Sequence, residues 1–295
     1  MEMVSAAKMR KAVQAALSTR MYAKRAKELM DHLSYFDEPN YPLLEKRPVS
    51  NVLMILVSSN RGLCGSFNAN MMKKAKNVVQ DKKQLAIHDL LDEEITDSSN
   101  INIDVLGIGR KSAIFAKRHN LSLTAVYDDI GEKPSFDEVR PISKEVIDQF
   151  LSKKYDKVLV VYTHFVSALA QEAKVRQLLP LSKTDVDKMI KEIDSHTDSK
   201  EEVEDASFPI ESYLFEPDTE TIINTVVPQL VEVQLYQAIL ESSASEHSSR
   251  MIAMKNASEA AGDMIDNLNT VYNKARQAAI TQEIAEIAGG AAALE

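Results

Sequence analysis

Near the end of the chain, Met254, Ala257, Ala261, Met264, Leu268, Val271, Ala275 and Ala278 follow one another at alternating steps of three and four. That spacing is one apolar seam of a long helix, held for more than three heptads. Such a seam needs a partner helix, and its many alanines let that partner come close. The one other long helical pattern lies at the opposite end of the chain. From residue 1 to about residue 38, Ala6, Met9, Val13, Ala16, Ala23, Ala26, Met30 and Leu33 recur at helical spacing, and no Gly or Pro interrupts them before Pro39. Two terminal helices can fold onto each other as an antiparallel pair and make a rod. An intermolecular coiled-coil dimer is the alternative use of the same seam.

Between these ends the signals alternate. Residues 51–58 (NVLMILVS) and 156–165 (DKVLVVYTHF) contain the continuous apolar runs of strands buried on both faces. Residues 101–108 and 121–127 read as two further strands. Helices are expected over 66–80, 110–119 and 143–153. Strands alternating with helices predict a mainly parallel sheet covered on both sides. Residues 82–99 read as a small insertion with some helix. Residues 183–207 carry nine Asp or Glu against four Lys and read as an exposed acidic insertion. A short final strand is expected at 212–216. A helix start follows at Pro217-Asp218-Thr219, with Pro228 kinking or restarting that helix.

Composition excludes several classes. The 295 residues carry a net charge of −9, which argues against a nucleic-acid binder by charge. There is no run of about eighteen apolar residues to cross a membrane. With a single cysteine, Cys64, no internal disulfide can form. None of the six histidines stands at metal-ligand spacing from another. Walker A, nucleophile-elbow and HExxH patterns are all absent. The loop at 58–68 (SSNRGLCGSFN) follows a buried strand and precedes a helix, where α/β folds bind ligands. It matches neither GxGxxG nor GxxxxGK[ST]. The plain reading is a tight turn in which Gly62 and Gly65 give backbone freedom and Ser66 caps the helix. The phosphate-cradle reading stands beside it. Cys64 is read as a packing or contact residue, with a reactive thiol as the alternative.

Lys8, Arg10, Lys11, Arg20, Lys24, Arg25 and Lys27 form a basic stripe, and no acid occurs between Met3 and Lys27. A solvated helix face would explain it. On an acidic protein, uncompensated charge of one sign also suits an acidic partner surface beside the rod.

With these pieces in place, the chain resembles the gamma subunit of F-type ATP synthases over nearly its whole length. The residues that carry the resemblance are 1–11 (MEMVSAAKMRK), 61–65 (RGLCG) with Phe67-Asn68, 246–255 (EHSSRMIAMK), 272–277 (YNKARQ), Ile280-Thr281 and the Gly290-Ala291 ending. The fold this implies is α/β plus long helices: an antiparallel coiled coil of the N- and C-terminal helices with an inserted Rossmann-like α/β domain. The expected divisions are 1–46, 47–216 (with the insertion at 183–207) and 217–295.

The resemblance also implies a function. A family member is the non-catalytic central shaft that couples proton flow through the membrane c-ring to ATP synthesis or hydrolysis at the beta-subunit sites. The implied partners are the alpha and beta subunits, the epsilon subunit and the c-ring. No cofactor, nucleic acid or membrane insertion is implied, and the place is the cytoplasmic face of a bacterial inner membrane. Arg276, Gln277, Thr281 and Glu283 match positions that engage a beta-subunit loop, and Arg250 one tied to coupling. Met1, Lys8, Arg10 and Lys11 match the part facing an acidic loop at the base of beta, with Cys64 and its turn nearby. A nucleotide-binding α/β enzyme and a free-standing coiled-coil scaffold are the competing readings.

Three departures from the family pattern stand out. Asn60 replaces an acid ahead of Arg-Gly-Leu-Cys. The acidic stretch at 183–207 is longer than usual. The helical pattern is at full strength by Met3 with no capping residue, and the family has about twenty residues before it, roughly 30 Å of rod. The expectation is that Met1 is not the natural start.

Overall fold

The computed structural model describes residues 1–19, 41–86, 101–130, 134–182 and 219–292. Helix α1 is Glu2–Ser18. Strand β1 (Asn51–Val57) leads into α2 (Phe67–Gln80) and the short α3 (Lys82–Ala86). Then come β2 (Asn102–Ile108), α4 (Arg110–Arg118), β3 (Ser122–Tyr127), α5 (Phe136–Leu151), β4 (Lys157–Phe165) and β5 (Gln171–Leu179). Helix α6 runs from Thr219 to Ala292 through Pro228 without an interruption of its span. The strand expected at 212–216, the acidic stretch 183–207 and residues 20–38 of the first helical pattern lie outside the described residues.

The sheet has the order β3-β2-β1-β4-β5. All neighbours are parallel except β4 and β5, which are antiparallel. Alternation along the strands divides the core. Leu53, Ile55 and Val57 of β1, with Val158, Val160 and Tyr162 of β4, face α5 and the first turns of α6. Met54 and Leu56, with Val105 and Val161, face Met71 and Ala75 of α2 and Phe115 of α4. Each such side chain contributes roughly 1.5–3 kcal/mol by leaving water. That two-sided burial is why β1 and β4 read as unbroken apolar runs.

Two elements differ from expectation. Helix α5 starts seven residues before the expected 143, at Phe136, because Ser135 and Glu138 form a full capping box. Pro141 lies within its opening turns and does not end it. Strand β5 is unforeseen. Its sequence, QEAKVRQLL, is polar over its first half because that half is only partly covered, and only Arg176 to Leu179 are buried.

Helix α6 changes character along its length. From Val227 to Arg250 it is buried on nearly every side; from Lys255 onward every residue whose exposure is described is exposed. Helix α1 packs on the buried part, where Val13, Ala16 and Leu17 meet Gln237, Glu241 and Ala244. Ser5 and Ala12 are buried and Met9, Ala16 and Thr19 half-buried along one face of α1, stepping four and three, with Val13 and Leu17 half-buried beside them. The seam from Ala257 to Ala278 is therefore bare, as expected from about Asp266 onward if helical residues precede Met1, and α1 sits on residues nearer the start of α6. Heptad spacing marks a face that wants a partner; it does not say which stretch the partner covers.

Candidate functional site

The buried part of α6 is held by two loops as it leaves the sheet. One is the turn after β1. Gly65 there has φ +55°, and a Cβ at that position would stand 3.7 Å from the Ser249 carbonyl oxygen and 3.8 Å from the Ala253 methyl group. Glycine lets the turn take the left-handed backbone and lie against the helix. Arg250 Nε reaches the Gly62 carbonyl at 3.4 Å, while its Nη2 pairs with Glu246 at 2.5 Å. The other loop is the β4–β5 hairpin. Ser248 Oγ donates to the Ala168 carbonyl, and Ser249 Oγ lies 3.1 Å from Gln171 Oε1.

The turn is wired internally. Asn68 takes the Ser59 N–H on Oδ1 (3.1 Å) and donates to Ser59 Oγ (2.7 Å) and Cys64 Sγ (3.2 Å). Cys64 is buried at 3% exposure, consistent with its reading as a packing residue. Asn60 explains its own departure from an acid. Its Oδ1 accepts from the Arg110 backbone N–H at 3.0 Å and its Nδ2 donates to the Asp128 carbonyl at 3.0 Å. A carboxylate could do the first and not the second.

Between this turn and α6 lies a cavity of about 390 Å³, lined in part by Asn60, Arg61, Arg110, Asp128, Glu246 and Arg250. It opens at the carboxyl ends of β1 and β2, the customary ligand position of an α/β sheet. The first N–H groups of α4 are nonetheless already used. Arg110 N–H goes to Asn60, Lys111 N–H to the Ser59 carbonyl, and Ser112 N–H to Ser58 Oγ. The cations beside them are neutralised too, Arg110 by Asp128 at 2.8 Å and Arg250 by Glu246. Gly109, at φ +88°, locks this arrangement, because a Cβ there would fall 2.2 Å from the Ser58 carbonyl oxygen. Among the described residues no group of three His, Cys, Asp or Glu is placed to hold a metal.

The site residues singled out from the sequence fall into separate places. Cys64 and Arg250 sit together at the turn. Met1, Arg10 and Lys11 are exposed on α1, and Lys8 is half-buried. Arg276, Gln277, Thr281 and Glu283 are exposed on the bare part of α6, about 40–50 Å along the helix from Arg250. Arg276 and Glu283 are one heptad apart, while Gln277 and Thr281 are one turn apart on a neighbouring face; Thr281 Oγ1 donates back to the Gln277 carbonyl at 2.8 Å. Sequence reasoning missed several of the buried polar residues of α6, among them Gln237, Glu241 and Ser245, with Ser248 continuing their row. Their spacing of four, four and three was the available signal. No helix among the described residues is long and apolar enough to cross a membrane.

Comparisons with known proteins agree with this architecture. A family profile described as ATP synthase matches residues 1–294. The ATP synthase gamma chain of Coxiella burnetii (strain CbuG_Q212) is 37% identical over 298 residues, covering 100% of this chain and 92% of that protein. The ATP synthase gamma chain of Chloroflexus aurantiacus (strain ATCC 29366 / DSM 635 / J-10-fl) is likewise 37% identical over 298 residues, covering 100% and 91%. Among solved structures, a chain of the central stalk and c-ring of the Tetrahymena thermophila mitochondrial ATP synthase is similar in fold. Its TM-score is 0.56 at 24% identity, over 88% of this chain and 97% of that one. A chain from the OSCP/F1/c-ring portion of the Euglena gracilis mitochondrial ATP synthase has a TM-score of 0.55 at 21% identity, covering 97% and 91%. By profile and by full-length identity, the chain belongs to the ATP synthase gamma chain family.

Proposed function

We propose that this chain is the central rotor shaft of an F-type ATP synthase. In that role it couples proton flow through the c-ring to ATP synthesis or hydrolysis at the beta-subunit sites. The observation that carries the reading is the two-part α6, gripped by the sheet up to Arg250 and bare from Lys255 to the last described turn. A rod fixed at one end and bare at the other suits a shaft standing inside a ring of subunits. It does no chemistry itself. It shifts the populations of the beta conformations by touching each differently as it turns.

The chain divides, on this reading, at 1–46, 47–216 and 217–295. The terminal helices form an antiparallel coiled coil. With Thr19 on Gln237, an antiparallel α1 reaches about residue 255, where the burial of α6 stops; a parallel one would leave 241–250 uncovered. The bare rod faces the alpha and beta subunits, with Arg276, Gln277, Thr281 and Glu283 as polar contacts to a beta loop. Met1, Lys8, Arg10, Lys11, Cys64 and Arg250 serve the contacts at its base. The α/β part meets the epsilon subunit and the c-ring, peripheral to the cytoplasmic face of a bacterial membrane.

The test is reconstitution with alpha and beta subunits. The chain should co-purify with the hexamer and convert ATP hydrolysis into rotation of a probe attached to its α/β part. A hexamer that excludes the chain contradicts the reading. A nucleotide titration of the isolated chain checks the phosphate-site alternative at the 58–68 turn; tight binding would revive it.

A further inference from the structure

His164 stands at the end of β4, with its Nδ1 2.6 Å from Glu241 Oε2 on α6. Both side chains are almost wholly out of water, at 4% and 2% exposure. The other oxygen of Glu241 accepts from Gln237 Nε2 at 3.2 Å, and Gln237 Oε1 lies 2.6 Å from Thr19 Oγ1 at the end of α1. One turn further along α6, Ser245 Oγ donates to the Thr163 carbonyl, again on β4. A single chain of polar contacts thus ties the sheet to α6 and α6 to α1.

The surroundings make this choice of residues costly. Val13, Ala16, Leu17, Phe165 and Ala244 close over Gln237 and Glu241. Desolvating two ionisable groups there gains little over an apolar pair of the same volume, apart from satisfying the buried Gln237 amide. What an apolar pair lacks is direction. The hydrophobic driving force carries no direction of its own, whereas a hydrogen bond weakens steeply once its angle is lost.

We infer that His164 and Glu241, continued through Gln237 to Thr19, form the clamp that fixes the rotational setting of the paired helices against the sheet. They are positioning residues for torque transfer. The inference rests on the rotor reading above. Load applied to the α/β part reaches the rod in part through this clamp and the Ser245 contact beside it, next to the two loops that hold α6 at Ser248 and Arg250.

The test uses the assembled enzyme in membrane vesicles and compares wild type with the H164L/E241L double substitution. The apolar pair should assemble and hydrolyse ATP as wild type does, yet its proton pumping per ATP hydrolysed should fall about twofold or more, because the setting slips under load. H164K, which supplies a donor to Glu241, should retain wild-type pumping. Pumping per ATP at the wild-type level in H164L/E241L makes the pair a merely structural contact and overturns the clamp. If the apolar pair fails to assemble, H164Q and H164A decide. H164Q keeps a donor toward Glu241 and should pump more per ATP than H164A; equal values overturn the proposal. A wild-type chain that never joins alpha and beta subunits removes the rotor reading and the clamp together, whereas normal wild-type coupling with an equally coupled Leu pair removes the clamp alone.

Discussion

Thr19 Oγ1 and Gln237 Oε1, 218 positions apart in sequence, lie 2.6 Å from each other. This contact fixes where the first helix sits on the last. Thr19→Val removes the hydroxyl and leaves the amide oxygen short of a partner in a half-closed site, so the chain should lose about 1 kcal/mol. Thermal or denaturant unfolding reads this directly. Unchanged stability would mean that packing of Ser5, Ala12 and Ala16 alone sets the register.

Two glycines separate conformational need from mere presence. Gly109→Ala forces a Cβ to within 2.2 Å of the Ser58 carbonyl oxygen at a φ of +88°. It should cost about 2–3 kcal/mol or more, since strain and displaced backbone add. Gly62→Ala meets nothing within 4 Å and should stay within about 0.5 kcal/mol of wild type. Parallel urea melts of the two variants check the contrast.

Gln277→Ala with Thr281→Ala removes polar groups from the bare part of α6. Neither residue is buried, so the isolated chain should keep its stability to within about 0.5 kcal/mol. Coupled ATP synthesis in the assembled enzyme should fall, each lost contact being worth on the order of 1 kcal/mol. Wild-type synthesis rates would return both residues to ordinary solvated positions.

Reversing Lys8, Arg10 and Lys11 to Glu should weaken docking into the catalytic head. Arg10 and Lys11 are exposed, so their attraction is screened over about 10 Å at 0.1 M salt. The gap between wild type and variant should therefore narrow as salt rises. Equal assembly at low salt would make the stripe a plain wetted surface.

How much of this was legible beforehand depends on what each residue faces. β1 and β4 were readable because both faces are covered, leaving only apolar letters. β5 was not, because Gln171, Glu172 and Lys174 occupy positions that water still reaches. The start of α5 was readable in principle from Ser135 and Glu138, which have the spacing of a capping box. The turn at 58–68 was placed correctly between strand and helix, but what holds the first N–H groups of α4 beside it was not legible. That answer lies in Asn60 and Ser58, whose partners are about fifty residues away in sequence. His164 and Glu241 were invisible as a pair for the same reason. The Met254–Ala278 spacing showed a face in want of company and could not show that α1 stops short of it.

The bare stretch of α6 also bears on how the chain is supplied. Met264, Ile265, Leu268, Val271, Ile284 and Ile287 are each more than half exposed. Together they form apolar surface of the kind that monomers seldom leave uncovered and that drives association when it is. A cell making this chain in excess of its partners would accumulate a self-adhesive rod and hand it to chaperones and proteases. Whatever helix or subunit lies against that face is therefore also what keeps the rod from sticking to its own kind.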